Sequence, residues 1–172
     1  MKYLILDLDK TLIYNNSKRL RSKKINNIIF RPYLIEFLKD LKKYYHLGIF
    51  TAGNDAYCEM VSRLIEKNNK FFEIKLCDRN LSKKKKKKDL KEIKKRIGKK
   101  YSDTIKKIIM VDDNESYFTN KRNSIKIKPF LGNTEDGKLK KLKYVLEEIK
   151  NFDDVREGIK KFKKLISCLI SN

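Results

Sequence analysis

The chain is punctuated by short apolar runs that stop at polar tips, which limits the folds open to it. Tyr3–Leu8, Leu47–Phe50, Phe71–Cys77 and Lys107–Val111 are each too short for a buried helix and read as buried strands. Helical patterns lie between them. Leu34, Ile35, Leu38 and Leu41 form a stripe that predicts an amphipathic helix over Pro32–Tyr44, with Pro32 at its start. A second helix, capped by Asn54 or Asp55, carries Ala56, Met60, Leu64 and Ile65. Asp89–Ile97 reads as a helix closed by Gly98, and Glu115–Lys121 as a helical turn. Ser124–Lys128 alternates as a fifth strand stopped by Pro129. Asp136–Lys150 and Phe152–Ile170 read as two further helices. The last aligns Phe152, Val155, Ile159, Phe162, Ile166 and Leu169 on one face, most simply a core-docking face. Strand–helix alternation of this kind predicts an α/β fold, a parallel sheet flanked by helices.

A length of 172 residues fits one domain with one core. No stretch approaches the ~20 apolar residues of a membrane span. The apolar start is broken at Asp7, so it is not a signal peptide, and an intracellular protein, nuclear or cytoplasmic, is expected. Cys58, Cys77 and Cys168 lie far apart with a single histidine, His46, which gives neither a zinc site nor a disulfide framework. The charge is extreme, with 44 Lys+Arg against 22 Asp+Glu, net +22. Such a field attracts nucleic acid, acidic protein tails or phosphorylated substrates. The abundance of Lys, Ile and Asn also follows from a genome biased toward A and T, and both readings stand.

In an open parallel sheet, ligands bind at the carboxyl ends of the strands. Strand one ends in Asp7-Leu8-Asp9-Lys10-Thr11, strand two in Thr51, and the Lys107–Val111 strand in Asp112-Asp113. A lysine-rich loop, Lys83–Lys88, precedes the Asp89 helix. Folding would bring carboxylates suited to a hard cation to the same rim as a hydroxyl and an ammonium suited to phosphate. Beside Mg²⁺ and an aligned phosphorus, the Asp7 carboxylate can act as a nucleophile. Asp9 can protonate the leaving oxygen and then deprotonate the attacking water. Each piece has a plainer reading: a solvated strand end for the Asp7/Asp9 pair, a capping hydroxyl for Thr51, a helix cap for Asp112-Asp113, and a solvated loop for the lysine run.

Together the motifs resemble the haloacid dehalogenase superfamily of phosphotransferases. More narrowly, they resemble the phosphatases of the RNA polymerase II C-terminal domain and their small, NLI-interacting-factor-like relatives. The residues carrying the resemblance are DLDKTL at Asp7–Leu12, Arg31-Pro32 with Glu36-Phe37-Leu38, FTAG at Phe50–Gly53, Lys88-Asp89-Leu90, and VDDN at Val111–Asn114. The similarity spans residues 1–150, and 151–172 is expected to add a C-terminal helix packed on the same domain. The resemblance implies a Rossmann-like three-layer sandwich with a central, mostly parallel sheet, capless or with a minimal insertion. It implies Asp7 as nucleophile, Asp9 as acid/base and Thr11 as a supporting hydroxyl. Thr51, Ala52 and Lys88 would bind phosphate, and Mg²⁺ would be held by Asp7, the Asp9 carbonyl and Asp113, with Asp112 behind them. The expected activity is that of a Mg²⁺-dependent phosphatase, most simply of phosphoserine or phosphothreonine in a protein. The alternatives are a polynucleotide end phosphatase and a non-catalytic basic binding module.

Two departures bear on the substrate. Lys10 replaces the glutamate usual in this first motif, adding positive charge near the phosphate. The stretch from Ile13 to Arg31 is shorter than the insertion that builds the proline-recognising pocket of the polymerase-directed enzymes; Ile25, Ile28, Ile29 and Phe30 stand as its remnant. Neither this stretch nor Gly53–Ser82 can hold a separate cap domain of ~50 residues, so an open site on a monomer is expected, suited to a phosphate displayed on a large anionic macromolecule.

Overall fold

The computed structural model describes residues 1–16, 27–82, 86–98 and 104–172. Its centre is β1 (Lys2–Leu6), flanked by β4 (Tyr45–Phe50) and β6 (Ile108–Asp112). With β5 (Phe72–Leu76) and β7 (Ser124–Lys126) outside them, the order is β5-β4-β1-β6-β7, and every pairing is parallel. The expected five-strand parallel sheet is therefore present. β4 ends at its predicted Phe50 and β6 one residue beyond its predicted Val111, whereas β1, β5 and β7 stop a residue or two early because the last apolar residue of a run often belongs to the turn; Leu8 is buried beyond β1. The chain moves from β1 outward through β4 to β5, then returns across the sheet to β6. That reversal puts a crevice at the carboxyl end of β1, where open sheets of this kind bind ligands.

Alternation along the strands builds three layers. Leu4 and Leu6 of β1, with Ile109 and Val111 of β6, face one core. Covering that face are α1 (Leu34–Leu41), α2 (Asp55–Glu66), α4 (Lys138–Ile149) and the C-terminal segment. Ile5, Ile108 and Met110 face the other core, covered by α3 (Leu90–Ile97) through Leu90 and Ile93. In β4, Gly48 sits where the register with β5 shifts. A Cβ there would lie 2.8 Å from Ile5 Cδ1 and 3.0 Å from Ile74 Cβ, so only glycine lets the two neighbours close over the strand.

The stretch before α1 forms an antiparallel hairpin, β2 (Ile13–Asn15) with β3 (Ile28–Phe30), in which Ile13 faces Phe30. Ile28 and Phe30 pack on the core, whereas Ile29 is exposed; Ile25 lies outside the described residues. Helix α2 is capped by Asn54, whose Oδ1 accepts from Tyr57 N at 2.9 Å. Its buried face corrects the expected one. Cys58, Val61, Ser62 and Ile65 point inward, while Ala56 is exposed. Ser62 tolerates burial because its hydroxyl donates to Glu59 O at 3.1 Å.

The C-terminal stretch is not the single helix expected over Phe152–Ile170. It breaks into α5 (Val155–Lys161), α6 (Lys163–Ile166) and a wide turn over Ser167–Ser171. Asp154 caps α5 by accepting from Arg156 N at 3.0 Å, which puts Phe152 outside the helix. The Phe152 ring then meets that of Phe162 edge-on at 6.3 Å. Val155, Ile166 and Ile170 still reach the main core.

His46 plays a structural part on β4, stacked on Tyr3 with its Nδ1 2.7 Å from Glu73 Oε2. Cys58 and Cys77 are buried free thiols, and Cys168 is an exposed one. No helix among the described residues is long and apolar enough to cross a membrane.

Candidate active site

Asp7 follows β1 directly and keeps its sheet bond, its N–H donating to Val111 O at 3.0 Å. The side chain is therefore fixed at the carboxyl end of the central strand. Asp112 ends β6 one strand away, and its carbonyl accepts from Ile127 N. Between the two carboxylates lies the ammonium of Lys88, 2.6 Å from Asp7 Oδ1 and 2.5 Å from Asp112 Oδ2. A lysine that is 1% exposed persists only with such partners. Its backbone is also pinned: Lys88 N donates to Tyr117 O at 2.9 Å and Lys88 O accepts from Thr119 Oγ1 at 3.0 Å. Lys88 is thus the lysine of the run, so far as it is described, that meets the strand-end carboxylates. Lys86 is exposed and Lys87 half-buried, and Lys83–Lys85 lie outside the described residues.

Thr11 joins the first loop to the fourth. Its buried Oγ1 accepts from Asp113 N at 3.1 Å, which holds the Asp113 carboxylate at the same rim. Oxygens of Asp7, Asp112 and Asp113 all lie within 4.8 Å of one another. Asp9 points elsewhere: its Oδ1 accepts from the Tyr57 hydroxyl at 2.5 Å, and its carboxylate is outside that cluster. Thr51, buried just past β4, uses its N–H on Leu76 O and its Oγ1 on Gly53 N, at 3.0 and 3.1 Å. Ala52 beside it is exposed. Lys10 takes a left-handed conformation at φ 60°, with its N–H on Ile13 O and its C=O accepting from Phe130 N, both at 2.6 Å. Its side chain is exposed.

The electrostatics follow from crowding four carboxylates around one buried cation. Burial, then the negative charge of Asp7, pushes Asp112 up to about 7 despite Lys88. Asp113 is raised by the same two causes, with Lys10 pulling against them. Asp9 is raised chiefly by burial, and the Tyr57 hydrogen bond opposes this. Burial pulls Lys88 down, but Asp7 and Asp112 outweigh it and hold it above the ordinary lysine range. The donor set fits a hard divalent cation: carboxylate oxygens from two strand ends, with more negative charge than Lys88 alone offsets.

Two residues to which the sequence pattern assigns no role belong to this architecture. Tyr57 lies one turn into α2, a position the apolar periodicity does not mark, and it orients Asp9. Arg31, legible only as part of a motif, is buried and donates to Thr11 O at 3.0 Å and Lys128 O at 2.9 Å. It also forms two bonds to the Asp136 carboxylate, each 2.9 Å. The one signal for it is an arginine inside an otherwise apolar stretch.

Comparison with known proteins places the chain in a family. A family model described as NLI interacting factor-like phosphatase matches residues 2–156. CTD small phosphatase-like protein 2 of Dictyostelium discoideum is 27% identical, over 93% of this chain and 30% of that protein. The RNA polymerase II C-terminal domain phosphatase of Encephalitozoon cuniculi is 24% identical, over 74% of this chain and 31% of that protein. The beryllium fluoride-bound fission yeast RNA polymerase II CTD phosphatase Fcp1 superposes with a TM-score of 0.59 at 18% identity, covering 98% of this chain and 50% of that one. This last likeness is one of fold. The chain spans under a third of the length of these two curated relatives and half of the solved one. With the match running over most of the chain and through every strand end that carries an acidic or lysine group, the chain belongs to the NLI interacting factor-like phosphatase family.

Proposed function

We propose that the protein is a Mg²⁺-dependent phosphomonoester hydrolase working through an aspartyl-phosphate on Asp7. The observation that carries the reading is the buried Asp7–Lys88–Asp112 arrangement with Asp113 beside it. A binding module has no need to bury a carboxylate against an ammonium at the mouth of a sheet, where both are costly to desolvate. A nucleophile needs that setting, because the Lys88 ammonium holds the Asp7 carboxylate in place at the strand end.

An Asp7 oxygen bonds to phosphorus as the bond from phosphorus to the ester oxygen breaks, and Asp9 gives that oxygen its proton. Asp9, now a carboxylate, takes a proton from water while the water oxygen attacks the same phosphorus. The Asp7–phosphorus bond breaks and inorganic phosphate leaves. Tyr57 keeps Asp9 turned away from Asp112 and Asp113, so the acid/base group and the cation-binding group do not compete. Lys88 and the Thr51–Ala52 loop would receive phosphate oxygens. Asp7, Asp113 and the Asp9 carbonyl would hold Mg²⁺, with Asp112 behind them fixing Lys88; the ion supplies positive charge against that of the transferring phosphoryl group.

The substrate class we favour is phosphoserine or phosphothreonine on a protein. Two relatives are named as phosphatases of the RNA polymerase II C-terminal domain, which is a protein segment. The test is turnover of a phosphoserine peptide with Mg²⁺, in wild type and in Asp7→Asn. Undiminished turnover in Asp7→Asn removes Asp7 as the nucleophile. Faster turnover of a 3′- or 5′-phosphorylated oligonucleotide than of the peptide, at physiological salt, would move the assignment to polynucleotide ends.

A further inference from the structure

A groove of about 620 Å³ runs between the outer edge strand β7 and the C-terminal helices α5 and α6. Its floor is apolar, with half-buried Ile159 as its accessible side chain beside the buried Phe118, Ile125 and Ile166. Its rim carries Lys121, Arg122, Lys126, Lys160 and Lys163, against one acidic lining side chain, Glu115. Arg156 also borders it but is committed to Asp154. Among the described residues, no carboxylate pairs with Lys121, Arg122, Lys160 or Lys163, and all four are exposed. The groove starts beside the cleft. Glu115 follows Asp113 by two residues, and Lys126 is the register partner of Asp112.

We propose that this groove docks an acidic segment of the protein substrate, with an aliphatic side chain against Ile159, while the phosphorylated residue of the same chain reaches Asp7. Charge complementarity selects the occupant: an unpaired basic rim on a chain of net charge +22 attracts acidic polypeptide and repels a second copy of itself. Nucleic acid fits less well. Bases stack on exposed aromatic rings, and the one aromatic lining residue, Phe118, is 3% exposed. An apolar floor under a basic rim suits an acidic peptide with aliphatic anchors. The identity of the segment rests on the phosphoprotein reading above; the chemistry of the groove does not.

The experiment measures binding of a fluorescein-labelled, unphosphorylated dodecapeptide of Glu, Asp and Leu to the full chain at physiological salt. Two charge reversals, Lys121→Glu with Arg122→Glu and Lys160→Glu with Lys163→Glu, are each expected to weaken binding about tenfold or more. Lys39→Glu with Lys70→Glu changes the net charge equally away from β7, Lys70 lying just before the opposite edge strand β5, and is expected to stay within about twofold. A peptide with Ser in place of Leu should bind more weakly. Circular dichroism confirms that each variant is folded. The proposal is overturned if the Lys39/Lys70 pair weakens binding as much as the groove pairs, if the Ser peptide binds as well, or if a single-stranded oligonucleotide of equal charge depends on the groove more than the peptide does. Turnover of phenyl phosphate, followed in parallel, separates the two readings. Its absence in wild type rejects the phosphatase and leaves the binding result standing. Its presence, with peptide binding indifferent to the groove, rejects docking alone.

Discussion

Arg31 and Asp136 stand 105 residues apart in sequence and meet in a two-point ion pair. The same guanidinium donates to Thr11 O and Lys128 O, so one buried side chain ties the loop after β1 to the segment after β7 and the start of α4. Lysine cannot reproduce that fork. Arg31→Lys should lower stability by about 3 kcal/mol, the scale for breaking a buried pair. Arg31→Met, which removes the charge as well as the fork, leaves the Thr11 and Lys128 carbonyls equally unmet. Urea denaturation checks both. A loss in Arg31→Lys below about 1 kcal/mol, the size of an exposed pair, would show that the strut is not needed.

The Lys88 ammonium neutralises only part of the charge around it, and this predicts how the fold responds to metal. A ligand that binds only the native state raises stability, by about 2.7 kcal/mol at a hundredfold excess over its dissociation constant. Mg²⁺ should raise the melting temperature of wild type, and chelation should abolish hydrolysis reversibly. Asp113→Asn should diminish both effects. Lys88→Met should lose about 10²- to 10³-fold in kcat, the scale for removing one electrostatic stabiliser. It should also gain more from Mg²⁺ in melting than wild type does, because Asp7 and Asp112 then face each other with no cation between them. An equal Mg²⁺ shift in Asp113→Asn and wild type would remove Asp113 from the cation site.

What is legible in the sequence is set by short-range physics. Five apolar runs ending in Asp, Thr or Pro mark the sheet, and the strand ends mark Asp7, Thr51 and Asp112-Asp113, because a parallel sheet puts those ends on one rim. Lys88 is legible from the Asp89 helix start that follows it, and Asp89 does cap α3. The rest depends on contacts remote in sequence. Tyr57 finds Asp9 across 48 residues, and no periodicity in α2 encodes that. The face of α2 differs from its apolar pattern because apolarity alone favours Ala56 over Ser62, whereas a serine bonded to its own helix backbone buries at little cost. The last helix is shorter than its apolar stripe, which continues through Phe152 while the capping carboxylate sits later, at Asp154.

If Asp9 is the acid/base proposed above, the hydrogen bond from Tyr57 should set the pH dependence of the leaving-group step. Burial raises Asp9, and the Tyr57 hydroxyl, by stabilising the carboxylate, opposes that rise. Removing the hydroxyl in Tyr57→Phe should raise Asp9 further. Asp9 must carry a proton to protonate the ester oxygen, so kcat/KM falls as pH rises through its pKa, and that alkaline limb should move to higher pH in the variant. The profile requires a poor leaving group, such as a phosphoserine peptide, because p-nitrophenolate leaves without assistance. A limb that stays in place would separate Tyr57 from the acid/base step.

Tyr45 provides a pH test of the fold that is independent of the site. It is buried at the start of β4, its hydroxyl donating to Leu146 O at 2.7 Å, and burial raises it above the ordinary tyrosine value of 10.0. The sign follows from linkage. Below pH 10 the phenol is neutral in both folded and unfolded chains, and its contribution to stability is constant. Above that, the unfolded chain loses the proton first while the folded chain keeps it, so stability falls as pH climbs. Tyr45→Phe has no proton to lose. At neutral pH the variant should be about 0.5–1.5 kcal/mol less stable for want of the hydrogen bond, since the Leu146 carbonyl keeps its bond from Lys150 N. In alkaline solution the gap should narrow and then reverse. Urea midpoints of both proteins, compared at neutral pH and above pH 10, read this directly, and parallel curves would show that Tyr45 does not resist ionisation.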